Sequence, residues 1–222
     1  MDQSRAGERK PTQNERRSEA TRERILEAAH VQFVENGLDG ARMEAIARAA
    51  GVNKALVYRH FTDRETLYRQ VLRRTYTRMR TAEASLGLPA DPLEALDQIV
   101  SFTLHYYIEH PDFLVLVGIE NLKRGEHVRR IGPEELLASS LVGAYRTIID
   151  KGVSAGLFRP DIDPVDLYAV VASQCWFAVA TRYTFGITFD VDFSDPEQLR
   201  HREHLIRDTV RSWVVRRQDD RT

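Results

Sequence analysis

The sequence predicts an all-α fold: a three-helix helix-turn-helix domain followed by a larger helical body, about nine helices in total. Three observations carry this. Apolar residues recur at helical spacing through nearly the whole chain, while the two-residue alternation of strands is essentially absent. Helix start and stop signals recur at short intervals, with Pro or Gly at most breaks. Finally, residues 41–61 (ARMEAIARAAGVNKALVYRHF) place two short helical segments on either side of a tight turn at Ala50-Gly51-Val52.

Taken in order, residues 1–17 contain no branched aliphatic or aromatic side chain and have nothing to bury, so they read as a flexible arm. Its arginines suit a minor groove or simply a solvated leader. Residues 18–36 carry Ile25, Leu26, Ala28, Ala29 and Phe33 as one helical stripe, closed at Asn36-Gly37. A second helix over 42–50 turns Met43, Ile46, Ala47 and Ala50 inward. Asn53 caps a third over 54–60, and Asp63 caps a long fourth reaching about Ala84 with Leu67, Val71 and Leu72 inward. Two turns of helix are unstable alone in water, so the third must be held by Val57 and Phe61. Leu86-Gly87-Leu88-Pro89 breaks the pattern and divides a domain over 18–85 from one over 86–222. Beyond it, Asp91-Pro92, His110-Pro111, Gly125, Gly132-Pro133, the Gly152–Gly156 interval, Asp163-Pro164 and Ser194-Asp195-Pro196 bound helices near 92–109, 112–123, 134–155, 164–184 and 195–216.

The third helix carries groups that read nucleic acid. Lys54, Arg59 and His60 can donate to base edges or phosphates, and Leu56 can meet a thymine methyl. The Tyr58 hydroxyl and Arg64 suit phosphate oxygens. Arg42, Met43 and Ala55 complete the candidate DNA-binding set. The plainer reading makes Tyr58 and His60 packing or solvated residues. Charge agrees with the first view. Residues 1–80 hold 17 Lys/Arg against 11 Asp/Glu and the remainder 15 against 22, although the net charge is only −1. A basic end on an acidic body is what a phosphate-facing protein shows.

Composition excludes other classes. Cys175, the single cysteine, cannot form an internal disulfide, and its apolar neighbours predict a buried thiol. Residues 1–17 lack a signal-peptide core, and the most apolar run, 167–180, is too short to span a bilayer. A cytoplasmic location is expected. No nucleophile elbow, phosphate loop or dinucleotide fingerprint is present, so neither an enzyme nor a cofactor is expected. His201 with His204 and Glu203, and His105 with Glu109 and His110, sit on charged helix faces without cysteine, so no metal site is expected.

Residues 22–67 resemble the DNA-binding domain of the tetracycline-repressor (TetR) family of bacterial transcription factors. The match runs through Ile25-Leu26-Glu27-Ala28-Ala29, Phe33, Gly37, Ile46-Ala47, Ala50-Gly51-Val52, Val57-Tyr58-Arg59-His60-Phe61 and Arg64-Glu65-Thr66-Leu67. The resemblance implies that Lys54–His60 is the recognition helix, Tyr58 its phosphate contact and Arg64 the basic residue opening the fourth helix. Arg42 departs from the family's usual Thr or Ser cap; either Asp39 caps from upstream, or the helix starts differently and Arg42 adds a phosphate contact. Leu56 departs where a small or polar residue is common.

The resemblance also implies that the body dimerises and encloses a small-molecule pocket. Independently, thirteen of the nineteen aromatic residues lie between Phe102 and Phe193. The run 167–185 is apolar nearly all round. With Leu205, Ile206, Val210 and Trp213 it can pair with its twofold mate through the last two helices, or serve only as monomer core. Polar residues set in apolar helices (His105, Tyr106, Glu120, Asn121, Gln174 and Arg182) are the pocket candidates. Asn121 and Gln174 lead, because a buried amide needs partners. The function expected is a ligand-responsive DNA-binding regulator, a homodimeric repressor on a near-palindromic operator. The alternatives are an all-α enzyme or carrier with a structural helix-turn-helix, and a protein-binding adaptor.

Overall fold

The computed structural model describes residues 12–215. Eleven helices form among these residues, and the β pairing among them is one isolated antiparallel bridge between Phe158 and Val215. The first helices are α1 (Gln13–Gly40), α2 (Met43–Ala49), α3 (Lys54–His60) and α4 (Arg64–Ala84). Two compact units divide within α4, between Val71 and Leu72.

In the first unit, α1 starts before residue 18 because Thr12 and Glu15 form a reciprocal capping box, each side chain satisfying the other's backbone N–H. Residues 13–17 are therefore helical, and what remains of the expected flexible arm, residues 1–11, lies outside the described residues. Gly37 interrupts the helix with φ 66°, a left-handed conformation that suits glycine, and one further turn ends at Gly40. Ile25, Leu26, Ala29, Phe33, Met43, Ile46, Ala47 and Ala50 are all buried, with Leu67 and Tyr68 of α4; Phe33 meets Tyr68 edge-on at 5.0 Å. The sequence-predicted stripe is thus the core, with Ala28 only half-buried.

The second unit continues with α5 (Pro92–Glu109), α6 (Pro111–Leu122), α7 (Glu126–Ile131), α8 (Ala138–Ser154), α9 (Pro164–Ala180), α10 (Arg182–Phe189) and α11 (Pro196–Val214). Asp91, Asp163 and Asp195 cap α5, α9 and α11, each followed by Pro at the first helical position. Leu96, Ile99, Val100, Leu104, Tyr145, Val171, Cys175 and Val210 lie in one core cluster. Burial pushes the Cys175 thiol up to about 12, so it stays protonated and inert. Paired hydrogen bonds from Arg211 to Asp97, at 2.7 and 2.5 Å, tie α11 to α5, and Ser101 with Glu203 and Arg207 forms a second tie. The Phe158 ring lies so close to Gly152 that an added Cβ would meet it at 2.1 Å. That contact needs glycine.

Eleven helices replace the expected nine because α7 forms in the stretch between two glycine breaks that was expected to be a connection, and because α10 splits off the predicted helix over 164–184. Leu137, at φ 57°, delays α8 to Ala138, and α7 forms separately between Gly125 and Gly132. The predicted helix over 164–184 ends at Ala180, where the Thr181 hydroxyl donates to the Phe177 carbonyl and a short α10 follows. Nor is this stretch buried on several sides: Val165 and Phe177 of α9 and Tyr183, Ile187 and Phe189 of α10 are exposed.

Candidate nucleic-acid interface

The seven residues of α3 begin where the sequence says they must. Asn53 accepts from the Leu56 N–H at 2.8 Å, satisfying one of the amides that a helix start leaves free. Val57 is fully buried and Phe61, just past the helix, nearly so. Above the Phe61 ring sits the Arg22 guanidinium, 5.4 Å from its centre, and Arg22 also donates to Gln70 at 3.1 Å. Two apolar pegs thus hold α3, and its other face stays in water.

That face carries Lys54, Ala55, Tyr58 and Arg59, all exposed, with Tyr58 at 43% despite its large ring. An exposed tyrosine beside two cations is a poor way to stabilise a monomer and a good way to meet a phosphodiester chain. Lys54 lies 5.7 Å from the centre of the Tyr58 ring and pairs with Glu44 of α2 at 2.5 Å. The Glu44 hydrogen bond raises the Lys54 ammonium above its ordinary value, and Lys54 in turn lowers the Glu44 carboxyl. Both side chains are exposed, so the pair yields readily to a stronger anion. Sequence reasoning missed Glu44. No local pattern shows it, because only the turn between α2 and α3 brings it to Lys54.

The remaining candidates divide. Arg42 is exposed at the start of α2 and makes no side-chain cap. Asp39 faces Arg64 across 4.0 Å. Arg64 donates to the Asp39 and Ala41 carbonyls at 3.2 and 3.5 Å, so it braces the turn that presents Arg42. Leu56 and His60 are half-buried. Burial first, then Arg59 and Arg22, holds the His60 imidazole below the usual histidine value. Met43 requires correction: it is 5% exposed, packed as part of the core it was also expected to join, and cannot reach a ligand.

Among the pocket candidates of the body, Arg182 alone lines the cavity of about 210 Å³ between α5, α9, α10 and α11. Asn121 and Gln174 were expected to be buried amides; both are exposed, and Asn121 spends its amide on the Val117 carbonyl of its own helix. His105 is exposed and bonded to Ser101, and Tyr106 is half-buried against Phe102, His110 and Phe113. Glu120 is buried, but its carboxylate is taken up by the His127 ring at 3.0 Å and the His127 and Val128 amides at 3.1 Å. It caps α7. Among the described residues no three or more metal-ligating side chains come together, and no helix is long and apolar enough to cross a membrane.

Residues 25–71 match the family described as "Bacterial regulatory proteins, tetR family", and residues 92–210 match "Tetracyclin repressor-like, C-terminal domain". The chain is 37% identical over 181 residues to the HTH-type transcriptional repressor NicS of Pseudomonas putida, covering 81% of this chain and 85% of that one. A transcriptional regulator described as SCO4942, from Streptomyces coelicolor, superposes with a TM-score of 0.63 at 25% identity, over 87% of this chain and 98% of that one. A TetR transcriptional regulator from Chloroflexus aurantiacus has the same fold, with a TM-score of 0.69 at 19% identity over 90% and 98% of the two chains.

Proposed function

Because the chain belongs to the tetracycline-repressor family of bacterial transcriptional regulators, we propose that it represses transcription as a homodimer on a near-palindromic operator and is released by a small-molecule effector. It is a DNA-binding regulator and not an enzyme. The observation that carries the finer reading is the division of α3 into a buried side, Val57 with Phe61, and an exposed side of Lys54, Ala55, Tyr58 and Arg59.

In this reading each α3 enters a major groove, two copies lying about 34–36 Å apart on successive turns of the duplex. Lys54 leaves Glu44 for a base edge or phosphate, and Arg59 and His60 donate alongside it. Tyr58 and Arg42 take phosphates. Arg64 holds the turn before α2 in register rather than meeting DNA itself. The dimer forms through α9 and α11, whose solvent side carries Val165, Phe177 and Leu205 in this chain. An effector in the body releases DNA by favouring a state in which the two α3 helices no longer match the groove spacing, and coupling of about 1–3 kcal/mol is enough for such regulation.

The test is Tyr58→Phe combined with Arg42→Ala, titrated against duplexes of several sequences over a salt series. Affinity falls by a similar factor on every duplex. The slope of log K against log salt drops by about 2, since two arginines per dimer each lose one phosphate. Unchanged affinity and slope would remove these residues from the interface.

A further inference from the structure

The cavity between α5, α9, α10 and α11 holds two arginines and no acid. Leu104, Val179 and Leu199 supply apolar walls from three helices, and Arg182 and Arg202 complete the lining with Phe193. Arg202 is half-buried and makes no hydrogen bond or ion pair; its Nε is fully removed from solvent without a partner, and its guanidinium lies 5.0 Å from the centre of the Phe193 ring. Arg182 finds only neutral partners, the Val179 carbonyl at 3.4 Å and the Tyr183 hydroxyl at 3.1 Å. Three other half-buried arginines of this unit are each paired with an acid: Arg211 with Asp97, Arg207 with Glu203, Arg159 with Asp161. Two cations left without an anion beside an apolar cavity are costly unless something supplies the missing charge.

We propose that this cavity is a binding site for a compact organic carboxylate whose apolar body fills the space between α5, α9 and α11 while its carboxylate bridges Arg182 and Arg202. Size narrows the class. An apolar cavity of about 150 Å³ accommodates benzene. About 210 Å³ adds room for a carboxylate, so the ligand has one ring or a short chain and about ten non-hydrogen atoms. Guanidinium forks match carboxylate geometry, which favours an acid over an alcohol or amine of the same shape. The inference deepens the effector reading above and rests on it for any consequence at DNA, but the site itself stands or falls separately.

Isothermal titration calorimetry of the full chain with benzoate, octanoate, benzyl alcohol and benzylamine tests it. At least one of the two carboxylates binds with a Kd below about 1 mM, and benzylamine does not bind. Arg182→Gln with Arg202→Gln weakens that carboxylate at least about tenfold, and Arg202→Lys, which keeps the charge but loses the fork, gives a smaller loss. Thermal melting confirms that the variants fold. Absence of binding by both carboxylates, or binding unaltered in the double Gln variant, overturns the proposal. A fluorescence-anisotropy arm with duplex DNA separates the two readings. If a carboxylate binds through these arginines yet leaves DNA affinity unchanged, the site is supported and its role as the effector site is refuted.

Discussion

The reader unit and the helical body follow different rules of legibility, and the difference is physical. In the reader, function sits on an exposed face that must stay open, so exposed side chains on a short, well-capped helix are the site. In the body, the polar residues that interrupt apolar helices turn out, Arg182 apart, to be exterior or internally satisfied, and the second cation at the cavity, Arg202, escapes sequence notice because arginine is common on surfaces. Exposure marks the site in one unit and misleads in the other.

Breaking the reader should be simplest through its peg. Phe61→Ala removes a buried ring and costs about 3–5 kcal/mol of that unit's stability, with loss of DNA binding, read by urea unfolding and anisotropy. The body has a comparable weak point with a built-in control. Gly152→Ala drives a Cβ into the Phe158 ring and costs about 1–3 kcal/mol. Gly143→Ala in the same helix meets nothing within 4 Å and stabilises by up to about 1 kcal/mol. If both substitutions shift the melting temperature in the same direction, the close approach at Gly152 is wrong. A smaller effect returns to the reader: Asn53→Ala removes the cap of α3 and costs about 1 kcal/mol. DNA affinity should fall with it, since α3 has no stability of its own to lose.

The smallest effect is a pH dependence. The His60 imidazole sits below its unfolded value near 6.5, so the folded reader resists protonation that the unfolded chain accepts. Its contribution is complete above about pH 6.5 and is lost as pH falls through the lower folded value. Acidification from pH 7.5 toward 5 therefore lowers the melting temperature of the wild-type reader slightly more than that of His60→Gln; equal slopes would mean that neither burial nor the charges of Arg59 and Arg22 disfavour the His60 imidazolium.

How much could be read beforehand follows from how local each signal is. The limits of α3, the caps Asn53, Asp63, Asp91, Asp163 and Asp195, and the buried thiol of Cys175 all rest on neighbours within a few residues, and each is where the sequence put it. The capping box of Thr12 and Glu15 was equally local, but the polar run that follows it hid a helix without an apolar face. Nonlocal features were beyond reach. The exposure of Asn121 and Gln174 depends on which side of α6 and α9 faces a neighbour, and hydropathy alone does not say. The late start of α8 and the break before α10 depend on Leu137 and Thr181, ordinary residues in ordinary sequence. Arg64 bracing the α1–α2 turn, Glu44 holding Lys54, and the pairing of Arg182 with Arg202 all need the fold before they can be seen.

Selection of bound duplexes from a random library with the full-length protein bears most directly on the whole picture. Two inverted half-sites about one helical turn apart should be enriched, with their sequence preference altered by Arg59→Gln and Lys54→Gln. A solitary half-site, direct repeats, or a motif indifferent to both substitutions would contradict a twofold pair of α3 helices reading DNA.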